Sequence, residues 1–384
     1  MLLLPATPQQ AVIELVYNVI METSTPAAYA TAAPLTALGR AALLLALDRV
    51  GVYARLEPFP EVVTVRCDRR TGCTIYDGSG APVPAPNGGG HFDVLRPQVV
   101  GGAGAAAGPY SGSGRCYALV QDIKKAIYGS VKLAHVVRVE RALAGGRPGA
   151  AGGGSVVLRW TDERVAIKCI SKAQLKRLQE KGGAMNENPL KEVRCISYIT
   201  RRMSGQLAGP ETIQGDPRRV LPMVDCLEDD EAIYLVMPCL HKEMFTVVEE
   251  HGGPFPEAEA FAFLRQVVDG LEVAHSLGLA HHDVSLENLM TDAGGGVIVI
   301  DWGMVVKVAL TDRGVPVKVA ARNQWPCRCG KMLYLAPEIL TATDQSPAFD
   351  PLKLDVWAIG IMLFIILTGV PPWDVQIGPT PKDQ

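Results

Sequence analysis

No apolar run in this 384-residue chain reaches the roughly 20 residues that a membrane-spanning helix needs; the longest are Ala41–Leu47 and Ala358–Leu367. Charge of one sign is equally scarce. Against 40 Asp and Glu stand 37 Lys and Arg, and the net charge of −3 gives no electrostatic footprint for nucleic acid or an anionic membrane. A secretory leader is not expected, because MLLLPATPQQ places no positive charge before its short apolar run. The nine cysteines are odd in number and lack framework spacing, which excludes a disulfide scaffold and predicts reduced thiols. Their one close pair, Cys327-Arg328-Cys329, has no second pair or histidine at ligand spacing, so no structural zinc site is expected. These absences predict a soluble protein of the cytoplasm, or of the nucleus, with neither nucleic acid nor membrane as partner.

What is present is enough for a core. Apolar residues make up 48% of the chain and charged residues 20%, close to the globular average. Composition divides the chain near residue 115. Residues 1–77 form an N-terminal segment of unassigned role, with helical periodicity at Val12, Leu15, Val16 and Val19 and short alternating runs at Val62–Arg66 and Thr74–Asp77 that read as strands. Residues 78–115 are Gly- and Pro-rich and read as a flexible linker, since so little apolar area cannot offset ordering entropy. A second glycine-rich patch, Ala144–Ser155, reads as a loop inserted between strands.

From residue 116 the pattern changes. Strand-like runs at Tyr117–Val120, Val131–Val139, Val156–Ile170 and Tyr234–Met237 precede an amphipathic helix at Glu257–Leu277, with Pro256 at its start and Gly278 past its end. Val356–Leu367 is apolar all round and is expected to be a helix buried on every side, stopped by Gly369 and Pro371-Pro372. A sheet-rich lobe is thus followed by a helical one.

Four short sequences carry chemistry, and their order is more specific than any one of them. Val165-Ala166-Ile167-Lys168 ends a β-branched run, placing Lys168 on a strand. His281-His282-Asp283 precedes Asn288 by a short loop. Asp301-Trp302-Gly303 follows the apolar strand Val297–Ile300, and Ala336-Pro337-Glu338 lies downstream. In this order the motifs resemble those of eukaryotic-type protein kinases, over about residues 118–384, and the wording of YLAPEIL and LTGVPPW is similar to the calcium/calmodulin-dependent-kinase-like serine/threonine group. A fainter similarity, of GGGHFDVL at 88–95 to the C-terminal histidine region of ovarian-tumour-type cysteine proteases, has no nucleophilic cysteine before it. His91 reads as a surface residue.

The kinase resemblance implies an α+β, two-lobe fold, with a β-rich small lobe (116–240) and an α-helical large lobe (241–384), behind a poorly ordered N-terminal extension. The chain stops soon after PPW, so the large lobe is expected to be truncated. It implies ATP and Mg²⁺ as cofactors, a protein substrate, and an unidentified regulatory partner. Phosphoryl transfer is mostly positioning and charge stabilisation. Accordingly, the resemblance makes Lys168 the cation for the α- and β-phosphates, oriented by Glu192, and Asp283 the residue that accepts the substrate hydroxyl. Asn288 and Asp301 become the Mg²⁺ ligands. Ile123, Gly129, Val131, Ala166, Met237, Cys239, Leu240, Glu243 and Met290 complete the ATP site, with Met237 as gatekeeper, Cys239–Leu240 as hinge and Glu243 at the ribose. Asp355 is expected to anchor the catalytic loop from below.

Departures from the family pattern are informative. The phosphate-covering loop aligns with Lys124–Val131, where Gly129 is the one glycine kept; Lys124 adds a charge able to attract phosphate. Ser285 stands where the family usually has a phosphate-contacting Lys, and Lys331 where it usually has Thr. A swap is expected, with Lys331 joining the catalytic residues. His282 replaces an Arg that pairs with phosphate in the activation segment between Asp301 and Glu338, and the hydroxyl residues of that segment are Thr311 and Tyr334 alone. Phosphorylation there is not expected to gate activity. A pseudokinase-like, nucleotide-binding scaffold stays open as the alternative, on the strength of the degraded loop and Ser285.

Overall fold

The computed structural model describes residues 59–373, apart from 61, 63, 87–89, 99–114, 142–155, 181–188, 210, 312–314, 320–329 and 342–345. The helical run near Val12, the inserted loop at 144–155 and the Cys327–Cys329 pair lie outside them.

The small lobe is one sheet of seven strands: β1 (Val65–Cys73), β2 (Phe92–Pro97), β3 (Arg115–Ala126), β4 (Gly129–Arg141), β5 (Val156–Ser171), β6 (Asp225–Glu228) and β7 (Ala232–Pro238). The order is β1-β2-β3-β4-β5-β7-β6, and the sheet closes into a barrel because β1 pairs with β6 in parallel, through Val65↔Leu227 and Arg66↔Glu228. All other pairings are antiparallel. Closure removes the unpaired edges that an open sheet would expose. Strand alternation sends Tyr117, Val136, Val165, Ile167, Leu227 and Tyr234 into one core cluster with Leu95 of β2 and Cys67 of β1.

Two expectations are corrected here. Phe92–Pro97 lies within the stretch read as linker, yet it is a strand whose Phe92, Val94 and Leu95 are buried. The first N-terminal strand spans 65–73 rather than Val62–Arg66, and Thr74–Asp77 contributes only isolated bridges at Tyr76, to Pro82 and to Arg159. Both are sheet pairings over long sequence separations, which composition does not register. Phe92 and Val94 join Ile75, Cys116, Ala118 and Val137 in a second cluster on the opposite face of the sheet. His91, beside them, is exposed and sits 3.4 Å from Thr74 Oγ1.

After β5 come α1 (Lys172–Glu180) and α2 (Pro189–Met203). Pro189 opens α2, Glu192 lies in its first turn and Arg201 and Arg202 in its last, an arrangement that matches the helix dipole at both ends. The large lobe is built on α3 (Met244–His251), α4 (Glu257–Ser276) and, near its end, α5 (Pro337–Leu340) and α6 (Pro351–Thr368). Between them run short strands: β8 (Lys242–Glu243), β9 (Leu279–Ala280), β10 (Leu289–Thr291), β11 (Val297–Val299) and β12 (Val306–Lys307). β10 pairs with both β8 and β11, and β12 with β9.

The amphipathic helix at 257–276 matches its expected span, though Pro256 caps it rather than sitting in its first turn. Helix α6 departs from expectation. It is 18 residues long, capped by Asp350 and by Gly369 in the left-handed region, and long and apolar enough to cross a membrane by length and composition. It buries Leu354, Ile361, Met362 and Ile366 in the core, but Val356, Trp357 and Phe364 are exposed, so it is not covered all round. Uniform apolarity sets no face.

Candidate active site

Between the barrel and the large lobe lies a cleft of about 390 Å³, a size typical of small-molecule sites. Strand pairing sets its upper wall. Lys168 on β5 is flanked by Val131 of β4 and Leu235 of β7, and Ala166 by Leu133 and Met237. Because side chains alternate, Val165 and Ile167 enter the barrel core while Ala166 and Lys168 face the cleft. Ile123, Val131 and Ala166 form the roof, Met237 lies deep, and Pro238–His241 crosses between the lobes. From below come Met290, placed on β10 opposite Glu243 and Ile298, and Asn288, Ile300 and Asp301.

Lys168 Nζ donates to Glu192 Oε2 at 2.5 Å, and both side chains are nearly buried. A pair this buried fixes the distance between β5 and α2, since removing one partner leaves an uncompensated charge at a cost of about 3–5 kcal/mol.

The loop from His281 to Asn288 hangs from α6. Asp355, fully buried, accepts from the main-chain N–H of His281 and of His282, each at 2.8 Å, and from His275 Nε2 at 2.8 Å. Burial opposes its charge, yet the His275 hydrogen bond holds its carboxyl below the ordinary range. His281 faces Ile300 O at 2.9 Å, and its ring packs on Trp302 at 4.5 Å between centroids. This anchoring lets His282 and Asp301 keep positive φ angles of 65° and 63°, a conformation non-glycine residues seldom adopt.

Asn288 donates through Nδ2 to Asp283 O at 2.7 Å and Asp283 Oδ2 at 2.6 Å, leaving its amide oxygen to accept a hydrogen bond or ligate a cation at the cleft. Asp283 also receives Lys331: main-chain N to Oδ1 at 3.2 Å and Nζ to Oδ2 at 3.2 Å. Lys331 Nζ further donates to Ser285 Oγ at 2.8 Å. Asp283 and Lys331 border a smaller void next to the main cleft, with Asn288 joining the two regions.

Most expected residues therefore converge. Ile123, Val131, Ala166, Lys168, Glu192, Met237, Cys239, Leu240, Glu243, Asn288, Met290 and Asp301 line the cleft. Gly129 does not. A Cβ there would fall 2.0 Å from Cys169 O, so this position needs glycine for the close approach of β4 to β5. Lys124 pairs its ammonium with Glu243 Oε1 at 2.7 Å across the cleft mouth. His282 is buried with neither ring nitrogen partnered, and burial pushes its pKa down to about 4, so the ring is neutral. Leu221, Glu287 and Ile300 also line the cleft. Ile300, at the end of an apolar strand just before Asp301, was findable from sequence; Leu221 lies in a segment with no pattern.

Residues 211–383 match the protein kinase domain family model. The chain is 34% identical over 160 residues to serine/threonine-protein kinase GIN4 of Saccharomyces cerevisiae, covering 41% of this chain and 13% of that protein. It is 33% identical over 158 residues to serine/threonine-protein kinase PLK4 of Drosophila ananassae, covering 41% and 19%. To the probable serine/threonine-protein kinase KCC4 of S. cerevisiae it is 32% identical over 160 residues, covering 41% and 14%. The chain thus spans less than a fifth of the length of these relatives. The family match begins after Lys168 and Glu192; sheet pairing carries Lys168 to the cleft, and helix α2 brings Glu192 to it.

Proposed function

We propose that this chain, which carries a eukaryotic-type protein kinase domain of the serine/threonine kind, transfers the γ-phosphate of ATP to hydroxyl groups of protein substrates. One observation carries the reading. Five polar residues from four separate stretches of sequence come together where the lobes meet: Lys168, Glu192, Asn288 and Asp301 line the cleft, and Asp283, on the adjoining void, is joined to it through Asn288.

The apolar walls suit an adenine ring, sandwiched between Val131 and Ala166 above and Met290 below, with the backbone of Cys239–Leu240 within reach of its edge. Lys168, held by Glu192, supplies a fixed cation for the α- and β-phosphates. Asn288 and Asp301 offer hard oxygen donors side by side and fit Mg²⁺, which supplies positive charge to the phosphate oxygens. Asp283 accepts the substrate hydroxyl proton as that oxygen bonds to the γ-phosphorus and the bond to the β-phosphate oxygen breaks, releasing ADP. Its own orientation is fixed by Asn288 and Lys331.

The test is transfer of labelled phosphate from Mg·ATP to a generic basic protein, wild type beside Asp283→Asn. Transfer that falls by on the order of 10³-fold in the variant supports the reading. A wild type that is thermally stabilised by ATP yet transfers nothing supports the nucleotide-binding scaffold instead.

A further inference from the structure

The loop that carries the proposed base has no cation of its own. Residue 285, two positions after Asp283, is a fully buried, neutral serine. The ammonium group that lies there comes from another part of the chain: Lys331, 46 residues on, with Nζ 2.8 Å from Ser285 Oγ and 3.2 Å from Asp283 Oδ2. Its side chain is about one-third exposed, so the charge is only partly screened.

The backbone is shaped for this approach. Gly330 has φ 101°, and a Cβ there would sit 2.6 Å from His282 O, so only glycine lets the activation segment come this close to the catalytic loop. The same approach brings Lys331 N within 3.2 Å of Asp283 Oδ1. The segment is then locked by a 3-10 turn, Met332–Tyr334, in which Tyr334 N donates to Lys331 O at 2.9 Å. Lys331 thus grips Asp283 through both its main chain and its side chain.

We propose that Lys331 is the catalytic cation of phosphoryl transfer in this protein, delivered from the activation segment, with Ser285 as its positioning partner. The inference rests on the kinase reading above. As the substrate oxygen attacks and the bond to the β-phosphate loosens, negative charge spreads over the equatorial oxygens of the transferring group. A cation touching the base carboxylate stands beside that group and meets charge that develops only in the transition state. Lys168, paired with Glu192 at the other end of the cleft, serves the ground-state phosphates. Losing Lys331 therefore lowers kcat and leaves the KM for ATP nearly unchanged.

The experiment compares wild type, Lys331→Met, and the double variant Ser285→Lys with Lys331→Thr, which returns the ammonium from the other side of the contact. Steady-state kcat and ATP KM are read with Mg²⁺, along with a thermal melt. Lys331→Met, which keeps the apolar stem, is expected to cut kcat by on the order of 10²-fold or more with KM within about threefold. The double variant should recover to within about tenfold of wild type. A Lys331→Met enzyme that keeps a tenth or more of wild-type kcat overturns the proposal. So does a double variant that melts like wild type but stays as slow as Lys331→Met, because a charge at that place would then not be what matters. A wild type with no transfer at all defeats the kinase reading itself, and this inference with it.

Discussion

Lys124 and Glu243 join hands across the mouth of the cleft, Nζ to Oε1 at 2.7 Å, tying the β3–β4 hairpin to the strand that leads into α3. The first member occupies a glycine position of the family pattern, and the second is the carboxylate expected at the ribose. The cation expected to draw phosphate in instead holds the residue that would greet the sugar. Lys124 is about two-thirds exposed, so the pair contributes little, about 0.2–1 kcal/mol, and salt weakens it.

Lys124→Ala should free Glu243 and tighten ATP binding by up to roughly fivefold at low salt, with the gain vanishing near 1 M salt. Titration calorimetry at two ionic strengths checks this. Weaker binding in the variant would mean that Lys124 swings to the phosphates after all.

Leu95 ties the N-terminal strands to the catalytic small lobe. It is fully buried, on β2, in the barrel core beside Ile167, whose β5 neighbour is Lys168. Leu95→Ala should cost about 2–5 kcal/mol in urea unfolding. Removing residues 1–97 should unfold the small lobe rather than release an independent kinase domain, because it opens the barrel and strips β3 of its partner β2 and β6 of its partner β1, leaving each with one neighbour. A truncated protein that melts like the full chain would contradict this.

Asp225 is buried in the small lobe at the start of β6, where the Tyr117 hydroxyl donates to Oδ2 and Oδ1 has no partner. Burial pushes its pKa up to about 6, with the Tyr117 hydrogen bond pulling the other way. A carboxyl raised above its unfolded value of about 4 contributes most stability below that value and loses it as pH rises through 6. Asp225→Asn should therefore be more stable than wild type at pH 7.5, by about 2–3 kcal/mol, and the gap should narrow toward pH 5. Denaturant midpoints at the two pH values decide it; a gap that does not change with pH rules out titration of Asp225.

His282, neutral and buried, offers no charge to a phosphate on the activation segment. Phosphatase treatment should leave kcat within about twofold of that of the untreated protein, as read by the same transfer assay. A tenfold fall would identify a phosphate receptor other than this residue.

How much of this was legible beforehand depended on sequence distance. Asp283 and Asn288 share one loop, and Asp301 ends an apolar strand, so their types and spacing carried the chemistry directly. Lys168 sat in a run of β-branched residues that could only be a strand. Lys331 beside Ser285 followed from the family resemblance and not from any spacing. By contrast, the β1–β6 contact joins residues some 160 positions apart and carries no local signal. A glycine at 129 reads the same whether it faces a phosphate or a neighbouring carbonyl.

The sequence alone determined the chemistry on offer, because the proposed phosphoryl transfer restricts which residue types can stand at a few positions along the chain. Tertiary structure decided what each of those residues touches. Closing the barrel made β1 and β2 part of the small lobe, the cleft mouth paired Lys124 with Glu243, and the approach at Gly330 set Lys331 on Asp283. These outcomes rest on long-range packing and on the close approach of backbones, and neither leaves a periodicity to read.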